Sequence, residues 1–142
     1  MSRQSKSVHA DGAEVVIAAR KLTTDDHNRV FYLSNAAGFQ VDLPGPDLGL
    51  EFTFIVKTAP ATGSYTIKSN NQVGTATALF KGHVLTTDVN SATDSDFDTT
   101  AVGTITLTQS KAVAGDVVKV YSDGTNWFYR AECSVFDAIS AA

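Results

Sequence analysis

Apolar and polar residues alternate along most of this chain with the period of two that marks a β-strand half buried against a core. Phe39–Leu43 (FQVDL) places Phe39, Val41 and Leu43 on one side and Gln40 and Asp42 on the other. Leu50–Lys57 (LEFTFIVK) sets Leu50, Phe52 and Phe54 against Glu51 and Thr53, and Gly103–Gln109 (GTITLTQ) sets Ile105 and Leu107 against threonines. Arg29–Leu33 (RVFYL), Ser64–Ser69 (SYTIKS) and Ala78–Thr86 (ALFKGHVLT) are further strands, the last with Gly82 at a bulge or a close approach. Pro44-Gly45-Pro46 ends one strand, because proline cannot donate to a ladder. Pro60 and Gly63 mark a turn predicted to join its flanking strands as a hairpin.

The strongest local signal is Val117–Cys133 (VVKVYSDGTNWFYRAEC), two β-rich runs joined by Asp123-Gly124. A two-residue turn there pairs Ser122 with Thr125, Val120 with Trp127 and Val118 with Tyr129. Ala131 and Cys133 continue that buried face, and Lys119, Phe128, Arg130 and Glu132 form the other. With no amphipathic helix in the pattern, about eight strands predict an all-β fold: a single antiparallel β-sandwich or barrel, of jelly-roll or tulip-like form. Residues 1–21 read as an extended N-terminal arm, with Glu14–Ala19 (EVVIAA) a strand or an extended connection. Residues 22–142 read as the β body with a short C-terminal tail. Thr87–Val102 is an acidic connection too long for a simple hairpin.

Composition narrows the function. The chain has 142 residues, a net charge of −4 and 18% charged residues. That balance argues against nucleic-acid binding, which needs a basic face for phosphates. No apolar run approaches the roughly 18 residues that span a bilayer, and no secretory leader is visible, so a soluble chain with no membrane partner is expected. Cys133 is the single cysteine and forms no intrachain disulfide. It lies on the predicted buried face, as a packing thiol.

Catalytic chemistry is not evident. His9, His27 and His83 are far apart, without metal-ligand spacing. Asp94, Asp96 and Asp98 alternate as calcium ligands do, but the position that requires glycine is Thr99 and the closing glutamate position is Ile105. The expectation is a non-enzyme with no catalytic residue, cofactor or metal.

Three phrases carry a resemblance: FYLSNAAGFQVDLPGPDLGLEFTFIVKTAP, LFKGHVLTTDVN and AVAGDVVKVYSDGTNWFY. Together, over Leu22 to Tyr129, they resemble the small capsid decoration (cement) proteins of tailed bacteriophages. The resemblance implies an all-β protein made in the bacterial host cytoplasm. It would sit on the outer surface of the capsid as a homotrimer, bound to the major capsid protein and stabilising the shell. Under that reading, Arg3, Lys6, Arg20 and Lys21 of the arm contact the capsid, and Val117 and Phe128 form the trimer interface. The Ser122–Trp127 hairpin is also similar to the endings of phage fibre and tail-tip proteins. The alternative is therefore a recognition module binding host glycans on an aromatic platform from Tyr32, Tyr65 or Tyr121.

Overall fold

A computed structural model describes residues 12–69, 72, 79–87, 95–96 and 102–142. Among them the chain forms twelve strands and one 3-10 turn at Thr24–Asp26. The strands are β1 (Ala13–Val16), β2 (Arg20–Lys21), β3 (Val30–Ser34), β4 (Gln40–Asp42), β5 (Glu51–Thr58) and β6 (Tyr65–Lys68). They continue with β7 (Phe80–Thr86), β8 (Ser95–Asp96), β9 (Thr104–Leu107), β10 (Val117–Ser122), β11 (Trp127–Cys133) and β12 (Ile139–Ala141). Two sheets result, one of order β1-β3-β5-β10-β11-β7-β8 and one of order β12-β9-β6-β4-β2. The fold is the expected all-β sandwich.

Its pairing is mixed, not wholly antiparallel. The first seven strands alternate between layers, odd-numbered in the seven-stranded sheet and even-numbered in the five-stranded one. A chain that crosses to the opposite layer and back returns to its first sheet running in its first direction. Hence β1, β3 and β5 are parallel neighbours, as are β2, β4 and β6. The expected β5–β6 hairpin is therefore absent: the turn with Pro60 and Gly63 carries the chain across the sandwich. Antiparallel pairing joins β7 to β8, β9 to both β6 and β12, and β10 to both β5 and β11, between which it lies; β7 docks parallel to β11.

Four short strands account for most of the difference from the expected count. β1 and β2 lie within the segment read as an arm, β8 within the long acidic connection and β12 within the C-terminal tail, where it pairs with β9. Residues 13–21 are thus part of the sheets, and Met1–Asp11 lies outside the described residues.

Alternation delivers the core as expected. From the seven-stranded sheet, Phe31, Leu33, Phe52, Phe54, Val56, Val118, Val120, Trp127 and Tyr129 are buried, against Val41, Leu43, Tyr65, Ile67, Ile105, Leu107 and Ile139 of the other. Each such side chain contributes roughly 1.5–3 kcal/mol by leaving water. The aromatic rings meet in sequence across the layer: Phe54–Phe31 at 5.6 Å, Phe31–Phe52 at 6.2 Å and Phe52–Trp127 at 5.8 Å between centroids. Asp42, expected outward, is also buried, and its carboxylate accepts a 2.8 Å hydrogen bond from Gln40 Nε2.

Polar pins hold the layers at their margins. Tyr65 of β6 reaches the other sheet, donating its hydroxyl to Thr58 O at 2.7 Å and accepting from Asn35 N at 2.8 Å. Burial pushes its phenol pKa up, partly opposed by the Asn35 bond. At the β1–β2 edge, Arg20 binds Glu14 at 2.9 Å and Asp26 at 3.1 Å, and Arg29 binds Asp26 at 3.2 Å and Glu14 at 3.5 Å. This square of two cations and two carboxylates joins β1 of one sheet to β2 of the other. Gly82 of β7 confirms a close approach: a Cβ there would stand 2.0 Å from Tyr129 O of β11.

Candidate functional site

The closing hairpin turns through four residues, not two. Ser122 pairs with Trp127, Val120 with Tyr129 and Val118 with Ala131. Asp123 organises the turn: its Oδ1 accepts from Thr125 N at 2.9 Å and Asn126 N at 2.7 Å, and Gly124 takes a φ of 97°. The bonds from Asn126 and then Thr125 hold the Asp123 carboxyl pKa below its ordinary value. Sliding the register by two residues keeps every side chain on its expected face but changes its neighbour. Lys119 now stands directly opposite Arg130.

Strand register therefore lays out the outer face of the seven-stranded sheet in three rows. The first runs Val15, Tyr32, Ile55, Val117, Glu132, Leu85. The second runs Ala13, Val30, Thr53, Lys119, Arg130, His83, and the third Glu51, Tyr121, Phe128, Lys81. Several apolar members are open to solvent: Val15 at 48%, Leu85 at 47% and Phe128 at 42% exposure. Val117, Lys119, Tyr121, Arg130 and Glu132 line a depression of about 300 Å³ on this face. Lys119 and Arg130 are exposed, and among the described residues neither makes an ion pair.

Beyond the end of these strands lies a second exposed feature. The segment Asp47–Leu50 lies against the hairpin tip, where a Cβ on Gly124 would sit 3.8 Å from Leu48 Cβ. Ser122 Oγ fixes it by accepting from Leu50 N at 2.9 Å and donating to Asp47 O. Leu48 is 81% exposed, and Asp47 and Asp123 are exposed as well.

The expected site residues fall in different places. Val117 and Phe128 share the outer face described above. Arg20 is half-buried and is committed to the ion-pair square with Glu14 and Asp26. Lys21 is exposed on edge strand β2, and Arg3 and Lys6 lie outside the described residues. Of the aromatic platform, Tyr32 and Tyr121 are half-buried on the outer face, whereas Tyr65 is fully buried between the sheets and unavailable to a ligand.

Other candidates belong to the architecture. Cys133 is buried, its thiol pushed up in pKa by burial, with Sγ 3.6 Å from Thr86 Oγ1. A depression of about 280 Å³ beside it is lined by Val113–Asp116 and Glu132–Ser134. Asp116 is buried there and accepts from Val113 N at 3.0 Å and Ser134 N at 3.4 Å, and burial raises its carboxyl pKa. His27 accepts from Glu51 N at 3.2 Å, and His83 is half-buried on the outer face. His9, Asp94 and Asp98 lie outside the described residues, as does the side chain of Asp96; among the described residues no cluster of metal-ligating side chains forms.

What sequence reasoning missed is the Lys119–Arg130 pair. Its face was legible, but the pairing depends on the turn length, which the Asp123 carboxylate sets. No family model matches the chain, and neither curated proteins nor solved structures yield a match.

Proposed function

We propose that this protein is a structural decoration (cement) protein of a phage head, binding the outer capsid surface as a homotrimer and stabilising the shell. The observation that carries this reading is the outer face of the seven-stranded sheet. It presents Val15 and Leu85 to solvent in the row of half-buried Tyr32, Ile55 and Val117, and Phe128 in a separate row beside half-buried Tyr121. A regular face on which apolar side chains extend over several strands fits a protein interface. A rigid sandwich is suited to clamping neighbours, because three copies turn individually weak contacts into a firm hold. The likeness of the three sequence phrases to decoration proteins supports the same role, with the major capsid protein as the partner and the virion exterior as the location. On this reading the expected subunit contact, through Val117 and Phe128, uses this same face.

One observation favours a second reading, a fibre or tail-tip module that binds host glycans: Tyr121 and Phe128 stand side by side on the open face, next to Lys119 and Arg130. The test mixes purified protein with heads lacking it, follows co-sedimentation, and runs a glycan array in parallel. Saturable binding to heads is expected, with a raised head-disruption temperature. Glycan binding without head binding would replace the first reading by the second.

A further inference from the structure

Two exposed features of one molecule complement each other. The depression on the outer face offers two adjacent cations, Lys119 and Arg130, with Val117 and Tyr121 as apolar walls and Glu132 opposite Val117, so its lining carries a net positive charge. The tip of the sandwich offers an exposed leucine, Leu48, that follows exposed Asp47 in the chain and lies against the turn that carries exposed Asp123. The tip projects off the end of the strands, whereas the depression opens on their flat face, so the two point in different directions. Like charges placed directly opposite across a strand pair destabilise it. The Lys119–Arg130 pair therefore weakens the isolated fold and gains by meeting carboxylates.

We propose that the tip of one copy docks into the outer-face depression of the next. Leu48 packs against Val117 and Tyr121, while Asp47 and Asp123 face Lys119 and Arg130. The occupant is a second copy because both halves of the match, apolar and charged, are present on this chain. The inference rests on the homotrimer reading: a closed ring of three requires a head-to-tail contact between two different surfaces, which tip and face provide. Electrostatic matching of this kind fixes orientation and makes association fall with added salt.

The experiment measures mass by light scattering across a concentration series for four proteins: parent, K119E/R130E, D47K, and the triple combination K119E/R130E/D47K. Asp123 is left in place because it holds its own turn. The parent is expected to form a salt-sensitive trimer. K119E/R130E and D47K should each raise the trimer dissociation constant, the double reversal on the order of a hundredfold. The triple variant restores attraction at position 47 while Asp123 still faces a glutamate, and should recover part of the loss. Melting temperatures taken at a dilution where every protein is monomeric separate this from misfolding: there K119E/R130E keeps the parent's Tm, because neither residue has an ion pair to lose. A trimer that persists in K119E/R130E overturns the inference but leaves the trimer intact. A parent that stays monomeric at every concentration overturns both. Loss of trimer in the single-site and double variants without recovery in the triple overturns the tip-to-face match.

Discussion

The seven-stranded sheet is built in two ways, and the contrast between its regions explains much of this molecule. On one side, β1, β3 and β5 are laid down by a chain that visits the other layer between each of them, so neighbours are parallel and distant in sequence. In the middle, β10 and β11 form a hairpin closed by four residues. The winding region depends on two contacts between layers, the Tyr65 clamp and the Glu14–Arg20–Asp26–Arg29 square, and on the Phe31–Phe54 stack within its own sheet. The hairpin region depends on its own turn and on Trp127, which packs on Phe52 of the winding region. Neither region buries its inner face without the other. The two constructions thus form one cooperative body.

The largest effect should come from the ring that joins them. Trp127→Ala is expected to lose about 3–5 kcal/mol, as large-to-small changes do in a closed core. Chemical denaturation should still show one transition with a normal slope; two separated transitions would show that the regions unfold independently. Next is the seam between β7 and the hairpin. Gly82→Ala places a methyl against Tyr129 O and should cost about 1–3 kcal/mol through overpacking. Retained stability there, measured in the same denaturation series, would mean the seam yields easily. Tyr65→Phe touches only the winding region. It leaves Asn35 N and Thr58 O without their buried partner and should cost about 1–2 kcal/mol.

The smallest effect separates two acids by sign. Asp116 has a raised folded-state pKa, so its native form holds the proton more tightly than the unfolded chain. Its contribution to stability increases as pH falls through that raised value, and stops changing below the ordinary carboxylate range. Asp123 has a lowered pKa, so the stability it adds is present above the ordinary range and is lost as pH falls through the lowered value. Denaturation midpoints measured against pH should therefore show the Asp116 gain first on acidification, and Asp116→Asn should remove it. A variant curve that superimposes on the parent's would refute that assignment.

Much of this was legible in the sequence, and the residues show where legibility stops. Period-two alternation identified Phe52, Phe54, Val118, Val120, Ile105 and Leu107 as inward, because a strand half buried in a core has no other way to satisfy both faces. It says nothing of which strand lies alongside, so the turn with Pro60 and Gly63 read as a hairpin when it is a crossing between layers. Arg20 read as an arm cation because its partners Glu14 and Asp26, which it shares with Arg29, come together only in three dimensions. Lys119 and Arg130 were placed on the right face but not opposite each other, since a carboxylate bonding to two turn amides lengthened the loop. Short edge strands such as β2 and β12 are pairing events of two or three residues, too brief to leave a periodic trace.

The position of β10 and β11 also governs how the protein is made. They are inserted between β5 and β7, so a nascent chain that has emerged from the ribosome only as far as Gln109 holds both of those strands with no neighbour between them. Backbone edges that will be interior stay unpaired until the hairpin has emerged. Assembly of this sandwich therefore has a keystone step, in which the hairpin fills an open gap between two earlier strands.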